Sequence, residues 1–515
     1  MVMLGATLPR GQARECDGSR RESRRAAALK NGPGAFRIVQ GRYDAARTTF
    51  ENRRHWAEAD YLSADSAANP AVRQILRARA RYEVANNSYA RGLVLTVAND
   101  LVGTGPRLQM RTSSAEANRE IERQFSSWCD AVGFAELLRT MRVARAEDGE
   151  AFALLVTNSA LDHPVQLDLR LIEADQVSTP GLMWGVPGVV DGIRFDRFGN
   201  PVEYHVLKSH PGDMSRFSSL EYNRVPAGRV IHWFRRDRPG QSRGLPDLMP
   251  ALPLFAQLRR YTLAVLGAAE AAANNSITFE TSLPPDQVAA GGSDDAGLGG
   301  TTLELETERS TGVFLPEGWT SKQMVAEQPA TTYAMFKREI LSEIARCLNV
   351  PFNVAACDSS YSNYASGRLD HLLYQRSIKI EQGHLARIGP DHVFESWMAE
   401  ATLVDGLLPQ GAWTEENDPH EWMWPGIEEN DPRWAAAESE QVQAGLLTEA
   451  RYYARRGYDW EGEVAQRKRE MEMRTAAGLP QPWDKRAATP AAADPTLDEP
   501  PPRNREQAEA PAKKR

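Results

Sequence analysis

Residues 331–350 read TTYAMFKREILSEIARCLNV. Phe336, Ile340, Ile344 and Leu348 recur every four residues, and Leu341 and Ala345 widen the apolar stripe. That period predicts an amphipathic helix. Val350-Pro351 stops it, because a residue before proline is pushed out of helical geometry. Upstream, Pro250 to Asn275 reads as a second helix, with alanine at 268, 269, 271, 272 and 273. Small residues let helices approach closely. Between the two helices, 276–330 forms an insert. Its strand-like pieces are Ser276–Thr281, Thr302–Thr307 and Gly312–Leu315, and Gly291–Gly300 is a flexible loop. The frame of the chain is therefore helix, insert, helix.

On the N-terminal side, 1–35 is polar and Arg-rich and ends at Gly32-Pro33-Gly34, which predicts disorder. Asn69-Pro70 is a helix start, with Asn69 as cap and Pro70 in the first turn. Val72, Leu76, Val94, Val97 and Leu101 continue at helical spacings until Gly103-Thr104-Gly105-Pro106. Glu116 to Cys129 carries Ile121, Phe125 and Trp128 on one helical face. The period then changes to two. Val165, Leu167, Leu169 and Leu171 alternate with polar residues, the mark of a half-buried strand. Asp191 to Val206 reads as a hairpin turning at 196–201, and Val230–Phe234 as a further strand. On the C-terminal side, Ala355 to Asn363 is a polar loop. Helices follow at 364–387 and 391–403, then helical segments to Leu479 and a Pro- and Ala-rich tail. The fold class is α+β, mostly helical.

Bulk properties narrow the function classes. The chain has 515 residues, 42% apolar and 25% charged, enough for several domains. No apolar run reaches the ~18 residues of a membrane span. Cys16, Cys129, Cys347 and Cys357 are scattered, which argues against a disulfide framework or a zinc site. The charge is uneven. Met1 to Arg54 holds twelve Lys/Arg against five Asp/Glu, while Gln410 to Glu440 holds nine acids against one base. Within 276–330, Asp286, Asp294, Asp295, Glu304, Glu306, Glu308, Glu317 and Glu327 face Arg309 and Lys322. A general nucleic-acid binder shows a broad basic face instead.

Catalytic patterns are sparse. Gly240-Gln241-Ser242-Arg243-Gly244 fits the G-x-S-x-G elbow of serine hydrolases, but the strand before it ends near Phe234. Pro246 and Pro250 then stand where the helix should run, so a structural turn is the better reading. There is no Walker A loop, which removes a motor ATPase. Glu147-Asp148-Gly149-Glu150 reads as a polar turn between a helix and a strand, in preference to a metal site. No catalytic, metal or cofactor residue is assigned.

Several segments together resemble the lambda-like phage portal family. They are Asn86-Asn87; Ala98 to Gly105; Glu147 to Phe152; Gly199 to Tyr204; Ile231-His232 leading to Arg238–Pro246; Leu348–Pro351; and Asp358 to Ser366. Their order is the family's, and they span about 40–480. The resemblance implies a wing at 36–249 and again at 364–403, a stem at 250–275 and 331–349, and a clip at 276–330. It also implies a tunnel-loop region at 350–363 and a helical crown at 404–480, between an arm at 1–35 and a tail at 481–515. Asp358, Ser359, Ser360, Tyr361 and Ser362 would line the channel, and Glu304, Glu306, Glu308 and Glu317 would dock the terminase. Implied partners are identical subunits in a dodecameric ring, the terminase large subunit, major capsid protein and scaffold, and head-completion proteins. Double-stranded DNA would pass without sequence specificity, in the virion after assembly in the host cytoplasm. No cofactor and no membrane are implied. The competing readings are a hydrolase built on Ser242 and a minor capsid protein binding DNA through the Arg-rich arm.

Overall fold

Asn69 caps a helix that runs Pro70–Asn86, its side chain accepting from the Val72 N–H at 3.1 Å. The computed structural model describes residues 49–179, 187–213, 221–273, 277–281, 319–323, 332–360, 363–409, 419–426 and 432–479. Residues to Leu62 form one unit and those from Ser63 another. In the first, 50–58 is a run of turns with the Arg53 guanidinium over Phe50. The second holds everything below.

In chain order it comprises α1 (Ala64–Ala67), α2 (Pro70–Asn86), α3 (Ser88–Val102), β1 (Arg107–Met110), α4 (Ala115–Val132) and α5 (Phe134–Asp148). Strands β2 (Glu150–Thr157), β3 (Leu167–Ile172), β4 (Val189–Val190), β5 (Ile193–Phe195), β6 (Pro201–Leu207), β7 (Tyr222–Pro226) and β8 (Val230–Phe234) follow. Then come α6 (Leu252–Ala273), β9 (Ile277–Thr281), β10 (Trp319–Gln323), α7 (Thr332–Cys347), α8 (Phe352–Ala356), α9 (Tyr364–Ile388) and α10 (Pro390–Ala401). Strand β11 (His420–Met423) and helices α11 (Pro432–Gln443), α12 (Glu449–Arg455) and α13 (Trp460–Ala476) complete it.

Two antiparallel sheets make the β layer, β3-β2-β8 and β4-β5-β6-β7. Strand β2 shows why two cores form around them. Its side chains alternate faces. Ala151, Ala153 and Leu155 enter the main core with Trp128, Phe134, Trp233 and Trp397. Phe152 on the opposite face enters a smaller core with Ile172, Ile193, Tyr204 and Val230. Glu150 shares the face of Phe152 and is fully buried. In the main core, Ile121, Phe125 and Trp128 of α4 are buried as their spacing predicts, and the Trp128 indole donates to the Leu167 carbonyl at 2.8 Å.

Some expectations change. The polar loop assigned from Ala355 starts as helix α8, because Pro351 accepts from the N–H groups of Val354 and Ala355 and opens a new turn. Phe336 is 50% exposed, although its four-residue stripe suggested burial. Each four-residue step overshoots a full helical turn, so such a stripe winds around the helix and its early end leaves the core. The 404–480 stretch, read as helical, also contains β11, which pairs with β1 in the register Leu108↔Trp422. In the insert, β9 matches the strand assigned at 276–281, and β10 at 319–323 pairs with it unforeseen. The assigned strands 302–307 and 312–315 lie outside the described residues.

The β1 edge carries a pH-sensitive contact. The Met110 N–H donates to Glu122 Oε1 at 2.6 Å, and Gln109 Nε2 donates to Asp459, the N-cap of α13, at 3.0 Å. Burial, with help from Asp459 and Glu461, pushes the Glu122 carboxyl up to about 7. A raised carboxyl contributes stability at pH below its unfolded value of about 4.3, and that contribution is lost as pH climbs through 7. Glu122→Gln keeps an acceptor for Met110 and removes the charge. Its melting temperature relative to the parent should therefore rise between pH 5 and pH 8. A difference that is flat with pH would show that Glu122 titrates normally.

Candidate functional site

Helices α6 and α7 pair through aromatic contacts, with the Tyr261 ring 4.8 Å from Phe336 and 5.6 Å from Tyr333. Beyond α7 the chain reverses through α8. Two non-glycine residues with positive φ flank that short helix, Asn349 at 55° and Cys357 at 51°. The turn after it is polar and exposed. Asp358 takes both the N–H (2.9 Å) and the hydroxyl of Ser360, which hold its carboxyl below the usual range. Asn363 then caps α9 by accepting from Ser366 N at 2.8 Å. Asp358, Ser359 and Ser360 thus sit together at one end of α9, while Tyr361 and Ser362 lie outside the described residues. The assigned docking residues Glu304, Glu306, Glu308 and Glu317 also lie outside them.

Two buried ion-pair networks hold α9 and the β layer in place. In the first, Tyr374 donates to Asp100 at 2.7 Å and Gln382 to the Leu101 carbonyl at 2.9 Å, fastening α9 to α3. Glu381 of α9 meets Arg142 (2.6 Å) and Arg145 (2.9 Å) of α5, and Arg142 also meets Asp247 at 3.1 Å. In the second, Glu150 accepts from Arg243 Nε and Nη2 (2.7–3.0 Å), His232 Nε2 (3.0 Å), the Gly244 N–H (3.1 Å) and Arg77. Arg243 also reaches the carbonyls of Val177 and Ala174 and the Asp191 carboxylate. Burial alone would raise the Glu150 carboxyl, but Arg243, His232 and Arg77 overcome it and hold the group well below the usual range. Burial pushes His232 below its ordinary value, and its Nδ1 faces the Tyr204 hydroxyl at 3.3 Å.

This network absorbs two segments singled out from the sequence. The Asp148-Gly149-Glu150 turn is there, but it is interior and not a surface feature. The 240–244 segment is also a turn, with Gly240 at φ 77°. The Ser242 hydroxyl and N–H both bond Asp65 at 2.8 Å, and the next helix, α6, begins only at Leu252, after Pro246 and Pro250. That is not the strand–Ser–helix geometry of a hydrolase. What the segment supplies is Arg243. Sequence reasoning missed that role, because Glu150 and Arg243 are 93 residues apart.

Among the described residues, Glu173, Asp175 and His210 could hold a metal. Arg81 already pairs with Asp175 at 2.7 Å and Glu173 at 3.4 Å. His210 Nδ1 accepts the Gly212 N–H at 3.0 Å, and its Nε2 lies 3.2 Å from Glu173 and 3.7 Å from Asp175. The trio is an ion-paired edge.

A family model described as phage portal protein, lambda family, matches residues 51–382. A probable portal protein of Halomonas phage phiHAP-1 is 28% identical over 444 residues, covering 80% of this chain and 83% of that protein. Portal protein B of Escherichia phage lambda is 22% identical, over 79% of this chain and 85% of its own length. The portal protein of Escherichia phage N15 is 23% identical, over 82% and 88%. Among solved structures, a chain from the neck of a native gene transfer agent particle, computed with C12 symmetry, aligns over 80% of this chain and 94% of its own. Its TM-score is 0.40 and its identity 15%. A chain from the neck of the empty particle, computed with C6 symmetry, aligns over 78% and 92%, at TM-score 0.39 and 16% identity.

Proposed function

Because the chain belongs to the lambda family of phage portal proteins, we propose that it builds a ring, a dodecamer, at one capsid vertex. Terminase loads double-stranded DNA through that ring, and the DNA later leaves through it. The role is structural and not enzymatic. The observation that carries this reading is the family match over residues 51–382. In this reading the partners are the terminase large subunit, the major capsid protein with its scaffold, and head-completion proteins. The protein assembles in the host cytoplasm and ends at the portal vertex of the virion.

Local chemistry supports the assignment of parts. A conduit must hold DNA without gripping it, and each Lys or Arg paired with phosphate adds affinity through counterion release. The exposed turn at Asp358, Ser359 and Ser360 carries an ionised acid and two hydroxyls, which suits a channel wall; Tyr361 and Ser362 complete that loop. The insert 276–330 is the clip in this reading. Glu304, Glu306, Glu308 and Glu317 give it an acidic surface that favours encounter with a basic terminase face, an effect that weakens with salt.

Light scattering and negative-stain imaging of the purified protein test the reading. Rings with a central hole are expected. A protein that stays monomeric at high concentration, with and without capsid and scaffold protein, would refute it. In assembled heads, shortening 357–363 should leave rings intact and lower the DNA retained per head. Unchanged retention would remove the loop from the channel.

A further inference from the structure

Two helix faces are exposed, apolar and oppositely charged. On α7, Met335 is 70% and Phe336 50% exposed, and Glu339 and Glu343 continue the exposed side along the helix, with exposed Arg346 at its C-terminal end. On α9, Leu369 is 64% and Ile380 70% exposed, Leu372 is exposed as well, and Arg376 and Lys379 stand among them. Among the described residues, Glu339, Glu343, Arg376 and Lys379 form no ion pair. The neighbouring bases of α7 are engaged otherwise: Lys337 lies over the Tyr89 and Tyr333 rings and Arg338 over Phe352.

Periodicity decides what the α9 ridge can reach within its own chain. Near its C-terminal end α7 shares a cleft with α9, lined by Ser342 and Arg346 on one side and Asp370 and Ser377 on the other. At about 100° per residue, Arg376 and Lys379 are turned more than about a quarter turn away from Asp370 and Ser377. The basic ridge is thus turned away from α7 of its own chain, although Leu372 and Lys379 also border a cleft that holds Glu421 and Glu438.

We propose that the ridge of α9 around Leu372, Arg376 and Lys379 packs on the Met335, Phe336, Glu339 and Glu343 face of α7 in a second copy of this chain. The proposal rests on the ring reading and names the surfaces that make the ring. Each protomer uses two different faces once, a heterologous contact that closes when the rotation permits. The apolar side chains supply buried area, and the charges supply order. An α9–α9 pairing sets Arg376 and Lys379 against their own copies, and an α7–α7 pairing does the same for Glu339 and Glu343, so charge disfavours both self-pairings. The ring reading selects the head-to-tail use of the α9–α7 contact over a reciprocal two-fold one.

The test uses two variants of the full chain, Glu339→Lys with Glu343→Lys, and Arg376→Glu with Lys379→Glu. Each alone should lose rings by about tenfold or more, measured by light scattering and negative stain, because like charges then meet at every contact. An equimolar mixture should recover rings that contain both, since each variant's α9 ridge then faces an α7 of opposite charge. A chain carrying all four changes should also form rings by itself. Recovery in either case shows that the variants fold. If the parent forms rings and each variant still does so alone, or if neither the mixture nor the four-fold chain recovers them, the pairing is wrong while the ring reading stands. If the Arg376→Glu, Lys379→Glu variant keeps its rings and loses only DNA retention, the ridge faces DNA and the pairing is wrong. If the parent forms no rings, both readings fall.

Discussion

Glu150→Ala should destabilise the chain by about 3–5 kcal/mol, the usual cost of removing one member of a buried ion-pair network. Glu150 is fully buried and takes bonds from Arg77, Arg243, His232 and the Gly244 N–H. Without it, Arg243 keeps Asp191 and Arg77 keeps Asp175, so both cations stay buried with fewer partners. Arg243→Ala should cost a similar amount. The double variant should cost clearly less than the sum, because both single changes break the same network. The depressed Glu150 carboxyl makes its contribution present above the ordinary carboxylate range, and it is lost only as pH falls through the lower folded value. Urea titrations of the three variants at pH 7 check this. A Glu150→Ala loss below about 1 kcal/mol would show that water or rearrangement compensates the buried cations.

Gly149→Ala should be comparably severe, and Gly240→Ala mild. Gly149 ends α5 at φ 88°, a conformation that L side chains rarely adopt. A Cβ there would stand 2.2 Å from the Leu245 carbonyl carbon and 2.5 Å from its Cα. Backbone strain of about 1–3 kcal/mol adds to an overlap with main chain that no rotamer can relieve. Gly240 has φ 77° but open space around its missing Cβ, so only the left-handed penalty of about 1–2 kcal/mol applies. Thermal melts of the two variants separate steric contact from backbone conformation. Equal losses would mean that the 149–245 contact yields easily.

The local elements were largely legible in the sequence. The helices at 70, 115, 252, 332, 364 and 390 and the strands at 167, 193, 201 and 230 follow from caps, prolines and periods of 3.6 or two residues. Those signals arise from covalent geometry within a turn or two of the chain, so they survive in the sequence alone. Strands β1 and β11 were missed because they are short and owe their state to each other across the fold.

The sequence by itself determined most of the helices, the alternating strands of the β layer and, through motif order, which family the chain resembles. Only the tertiary structure decided that the 147–150 and 240–244 turns are one object. Gly149 and Gly244 lie so close that a Cβ on Gly244 would stand 2.1 Å from the Gly149 carbonyl oxygen. Glu150 and Arg243 meet across that contact with both side chains fully buried. A charged residue reads as surface until its partner is known, because burial of a charge is tolerated only where the opposite charge and its hydrogen bonds arrive with it. That coincidence depends on how sheets and helices pack, which no local spacing encodes.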